Sequence, residues 1–273
     1  MRVIPALDLS LLSSNVSGAS EPDWDSGTTY ASGDRVVYEN IIYEATASTA
    51  GDVPPDTPSK WVRVGPTNRW AMFSGSSQSA TQNSTSIDVT VGVPDFADRV
   101  ALFGLVADSV QVVVRSGTTV ISDETYSSPG RSLVAIISGL YPSLEIDLTI
   151  TATEAECQQI VVGKSRYIGL GQWEYSPGIV DFSRKSTNDF GETTLVQRSF
   201  ARTLDVSSFI DPGIIDAVNR EFTRLRATPA VWDANNNGSD RDDLRVFGWL
   251  EDSSIKYRSY NHATADIRIQ EMT

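Results

Sequence analysis

The chain carries one histidine and one cysteine, and that scarcity bounds its chemistry before any fold is considered. A Ser-His-Asp or Cys-His nucleophile would have to use His262, which stands in a strand-like run with no carboxylate following it before Asp266. Cys157 has no partner for an intrachain disulfide, and its neighbours Glu154 and Glu156 do nothing to activate a thiol. One Cys and one His cannot close a tetrahedral zinc site. Gly169-Leu170-Gly171 lacks the third glycine and the helix of a dinucleotide loop. Asp and Glu are abundant, but sequence spacing does not separate a glycosidase pair from solvated faces. Asp233, Asn235 and Asn237, followed by Gly238, do place oxygen donors at alternate positions as in a calcium loop, yet Leu244 stands where the closing bidentate Glu is required. An acidic hairpin tip is the expectation, with an irregular calcium site helped by Asp240, Asp242 or Asp243 as the alternative. No catalytic residue and no cofactor is expected.

Composition narrows the class further. The 273 residues are 40% hydrophobic and 21% charged, as in an ordinary globular protein with two or three cores. A formal net charge of −13 argues against nucleic acid as a partner, because phosphate binding needs a basic face. No run reaches the roughly eighteen apolar residues of a membrane span. Residues 1–14 lack the apolar core and cleavage site of a signal peptide, with Asp8 interrupting the run, so synthesis and folding in a cytoplasm are expected.

Elements that would position any site are clearest between residues 192 and 249. The run 192–210 alternates polar and apolar residues as in one long half-buried strand and stops at Asp211-Pro212-Gly213, a helix start with a capping carboxylate and proline in the first turn. Ile214, Ile215, Val218, Phe222 and Leu225 then share one helical face. Thr228-Pro229 ends the helix, and three short strands are expected after it, two of them forming a hairpin around the acidic loop. The motifs DFSRK, DFG, QRSFARTLDV and RATPAVW in this region resemble the C-terminal part of tail-tip proteins from long-tailed bacteriophages. That resemblance implies a split β-barrel flanked by one helix, as in the tail-tube and distal-tail fold. It also implies a homo-oligomeric ring, a hexamer or alternatively a trimer, assembled in the host cytoplasm and placed at the tail tip of the virion beside other tail and baseplate proteins. Leu195, Gln197, Arg198, Phe200 and Arg202 are the candidate interface residues.

The N-terminal residues 1–20 read as an arm, either pairing with a neighbouring subunit or forming a strand of the chain's own C-terminal sheet. Residues 21–65 form a small module: strands at 35–38 and 41–45 flank a two-residue turn, and Trp24, Tyr30, Tyr38, Tyr43 and Trp61 must supply most of its core. The pattern Trp24, Tyr30-x-x-Gly33-Asp34-x-Val36-x-Tyr38, Tyr43-x-Ala45, Gly51-Asp52-x-Pro54 and Trp61 is similar to the chitin-binding modules of carbohydrate-binding families 5 and 12. In those families exposed aromatics stack on sugar, commonly a tryptophan pair after the Tyr-x-Ala stretch. Here Thr46-Ala47-Ser48-Thr49 occupies that place, leaving Trp24, Tyr30 and Trp61 as the candidate glycan-binding residues. Six short strands between 86 and 153 suggest a jelly-roll-like β-sandwich. The expected architecture is therefore mainly β: arm 1–20, module 21–65, sandwich 66–159 and a ring-forming domain 160–273. The expected role is a non-enzymatic component of a tail tip or baseplate whose peripheral modules contact host-surface glycan, with a sugar-binding fibre or free lectin-like protein as the alternative.

Overall fold

The structure, a computed structural model, describes residues 1–235, 241–259 and 262–273. It is mainly β as expected, with 56% of residues in strands and 10% helical. The largest sheet has seven strands in the order Arg166–Tyr167, Arg2–Pro5, Ala230–Asp233, Arg245–Ser259, His262–Glu271, Phe200–Ile210 and Leu170–Asp181. All neighbours are antiparallel, and the two end strands do not pair with each other, so the sheet is open. Asp211 caps the segment that leaves Phe200–Ile210: its Oδ1 accepts from the Gly213 amide at 2.8 Å, a turn of 3-10 helix covers Pro212–Ile214, and the α-helix Ile215–Arg224 follows. Ile215, Val218, Phe222 and Leu225 pack on Leu204, Val206, Trp232 and Ile267 of the sheet. Each such side chain contributes about 1.5–3 kcal/mol through burial, which holds a helix too short to be stable alone. No helix among the described residues is long and apolar enough to cross a membrane.

A two-sheet sandwich lies upstream. One sheet orders Thr119–Ser127, Ser109–Ser116, Leu144–Cys157, Thr81–Val93 and Ser10–Ser14; the other orders Ser132–Ile136, Arg99–Phe103 and Gln159–Gly163. Period-two alternation sends Val110, Val112 and Val114 into the same core as Ile146, Leu148 and Ile150. Gln159–Gly163, which straddles the expected division at 159/160, thus pairs inside the sandwich.

The N-terminal segment divides its strands between the two bodies. Arg2–Pro5 lies within the large sheet, as the second of its two readings anticipates, and Ser10–Ser14 adds an edge to the sandwich. Between them the Leu7 amide donates to the Val162 carbonyl at 3.0 Å. Gly163 permits this crossing, since a Cβ there would meet the Pro5 carbonyl oxygen at 2.0 Å. Ile4, Ala101, Phe103, Val161, Val231 and Phe247 form a separate apolar cluster where the bodies meet.

Three expectations fail. The barrel that the tail-tube resemblance implies is not closed, since the end strands of the large sheet do not pair with each other. The strands after the helix are not all short: Arg245–Ser259 runs 15 residues and His262–Glu271 runs 10, because the polar stretch near Asp252 is absorbed as a bulge rather than ending the strand. The run 192–210 is not one half-buried strand. Thr193–Val196 pairs only with Arg184–Thr187, and with no second layer beneath it both faces meet solvent.

Candidate functional site

The module folds around its aromatics. Strands Arg35–Tyr38, Ile41–Ala45 and Trp61–Pro66 make a three-stranded sheet, and Thr29–Tyr30 pairs with Thr49–Ala50. Glu39 and Asn40 form the connecting turn with φ of 49° and 66°, the left-handed conformation that a two-residue hairpin turn requires. Trp61 is 2% exposed, packs edge-on against Tyr30 with ring centroids 5.4 Å apart, and donates its Nε1 proton to the Asp52 carbonyl at 3.0 Å. The Tyr30 hydroxyl accepts from the Asp25 amide at 2.8 Å. These contacts correct the assignment of Tyr30 and Trp61 to glycan stacking: both rings are core, and neither offers a face to a ligand. Trp24 is different. It is half-buried, with its ring 5.6 Å from that of Tyr38 at 80°, so this pair is the partly accessible aromatic surface of the module.

Where a tryptophan platform would stand, small residues knit the loop instead. Thr46 donates from Oγ1 to the Ser59 carbonyl and Thr49 from Oγ1 to Asp52, while Ala47 and Ser48 are exposed. The outward side of the sheet carries aliphatic side chains, Val62 and Val64 being about half exposed beside the Arg35–Glu44 ion pair at 2.8 Å. Sequence reading missed this valine pair, whose alternation with Trp61 and Arg63 was the available signal.

A second feature projects from the large sheet. The ends of Leu170–Asp181 and Phe200–Ile210 continue as a ribbon closed by the hairpin Arg184–Thr187 with Thr193–Val196. The Asn188 side chain ties its turn, accepting from the amides of Phe190 and Glu192. Every residue from 184 to 200 is exposed, including Phe190 at 92% and Leu195 at 73%. Leu195, Gln197 and Arg198 therefore do lie on one continuous exposed segment. Phe200 stands at its root. Arg202 does not belong with them: its Nε and Nη2 both donate to Glu271 Oε1, at 3.0 and 2.8 Å, so its fork is already occupied inside the chain. Phe182, Phe190 and Val196 were overlooked, although the turn formers at 188–191 between two short alternating runs marked a hairpin.

The described carboxylates of the acidic loop are engaged by protein contacts. Asp233 Oδ1 accepts from the backbone and side-chain amides of Asn235 at 3.0 and 2.9 Å and faces Arg245 at 3.6 Å. Asp243 pairs with Arg241, and Asp242 accepts from the amides of Arg131 and Ser132, both at 2.9 Å, and from the Ser132 hydroxyl. No group of three His, Cys, Asp or Glu that could hold a metal occurs among the described residues. Asn237, Asp240 and the side chain of His262 lie outside them. Cys157 is buried, and desolvation pushes its thiol up to about 12.

Comparison with known proteins bears on the module. Residues 23–62 match the model of carbohydrate-binding module family 5/12, a match confined to well under half of the chain. No curated protein and no solved structure matches the chain.

Proposed function

We propose that this chain is a non-catalytic structural protein that assembles with copies of itself through the projecting ribbon and presents residues 21–65 as a glycan-contacting module. The tail tip or baseplate of a long-tailed bacteriophage is the assembly that the C-terminal motifs resemble, with a sixfold ring as the form and a threefold hub as the alternative. The carrying observation is the ribbon: a two-stranded hairpin is marginal alone in water, yet this one carries Phe190, Leu195 and Val196 on a continuous exposed run, with Phe190 at 92% the most exposed large apolar side chain among the described residues. Burying those side chains in a neighbouring copy would stabilise both the hairpin and the contact. The family match supports a glycan as the module's ligand, and Trp24 with Tyr38 is the surface that remains to hold it.

Light scattering during size-exclusion chromatography tests the assembly. The full chain is expected to run as a ring, seen as such in micrographs. A variant with residues 186–194 replaced by Asn-Gly should run as a folded monomer. A full chain that stays monomeric at high concentration overturns the reading. Retention on chitin, lost in Trp24→Ala, would then favour the lectin-like alternative.

A further inference from the structure

The junction between sandwich and large sheet holds a cleft of about 550 Å³, lined by Gln78, Arg131, Gln158, Phe200, Arg202 and Glu271 among others. That size lies within the range of small-molecule sites, about 300–1,000 Å³. Its two carboxylates are already satisfied. Glu271 accepts from the Arg202 guanidinium through Oε1 and from the Arg202 amide through Oε2, at 3.1 Å; Asp242 accepts three hydrogen bonds from Arg131 and Ser132. What the cleft has left to offer is chiefly donors. Arg131 is exposed, and only its backbone is engaged among the described contacts. The carboxamides of Gln78 and Gln158 are also unengaged among those contacts. Gln158 is set in place by Gly104, where a Cβ would meet its side chain at 2.2 Å and where φ is +59°. Phe200 adds a ring that is 51% exposed.

A free guanidinium fork, two amides and one accessible aromatic ring suit a ligand with a carboxylate, several hydroxyls and a flat apolar face. We propose that the cleft binds a uronic-acid unit of an acidic polysaccharide. Arg131 takes the carboxylate, Phe200 stacks on the pyranose ring, and Gln78 and Gln158 bond the hydroxyls. The acidic side chain of a second copy would use Arg131 alike, but would leave the ring and the amides without a role. The site is independent of the module and uses none of its residues.

Calorimetry on the full chain with trisaccharides of glucuronate, galacturonate and mannuronate, and with neutral maltotriose, decides the matter. At least one acidic trisaccharide is expected to bind, with maltotriose at least about tenfold weaker, the loss expected when a charged hydrogen bond is removed. Arg131→Ala and Phe200→Ala should each weaken acidic binding by about tenfold or more, and Arg131→Lys by less, since it keeps charge without the fork. Both positions are exposed, and an unchanged circular dichroism spectrum and melting temperature would establish that the variants fold. The proposal is overturned if none of the three acidic trisaccharides binds, or if both alanine variants bind as the parent does. A loss of oligomer in Arg131→Ala with no saccharide binding in the parent would assign the cleft to a second copy. Chitin retention reads the module separately, so either site can fail alone.

Discussion

Asp242 shows how much one side chain carries here. It joins the large sheet to the sandwich through the amides of Arg131 and Ser132 and the Ser132 hydroxyl. Burial works against its charged form, but those three hydrogen bonds and the nearby Arg245 charge outweigh it and hold the carboxyl below its ordinary value. A carboxylate depressed in the folded state stabilises fully above its unfolded pKa, about 3.9, and that contribution is lost as pH falls through the folded value. Urea denaturation from pH 7 to 3 should therefore show Asp242→Asn less stable at neutral pH by about 1–2 kcal/mol, with the difference shrinking in acid. Cys157 gives a second check. Its thiol, buried and pushed up to about 12, should resist a disulfide reagent at pH 8 in the native chain and react promptly in denaturant.

At the level of elements, signals held where the chemistry was local. The Asp211-Pro212-Gly213 helix start and the Glu39-Asn40 turn both appear as read, because a cap or a two-residue turn is decided within four residues. Burial was less legible. Alternation in 192–199 resembles any half-covered strand, and nothing in it says whether a second layer lies beneath. The aromatics of the module posed the same difficulty: Trp24 and Trp61 are alike in sequence, and only their packing makes one partly accessible and the other core. Trp61→Ala should accordingly cost about 3–5 kcal/mol and unfold the module, while Val62→Ala, on the open side of the sheet, should stay within about 0.5 kcal/mol. Near-ultraviolet circular dichroism with thermal melts of both variants would read this directly.

Across the whole molecule, the sandwich and the large sheet share an apolar cluster, the Asp242 contacts and the N-terminal segment, whereas the module keeps a small core of its own. Calorimetry should show the two larger bodies melting in one transition and the module in another; Asp242→Asn combined with Phe247→Ala should split the larger transition. This union was hidden from sequence reading because it joins residues far apart, such as Ser132 with Asp242 and Phe103 with Phe247, and no local pattern marks such a pair. The cleft is illegible for the same reason. The strand Arg2–Pro5 also fixes an order of events in synthesis. It is made before either neighbour but lies between Arg166–Tyr167 and Ala230–Asp233, so its second edge stays unpaired until Ala230–Asp233 has been made. A product cut off before residue 230 keeps that edge open, a row of unpaired backbone groups that Ala230–Asp233 otherwise covers.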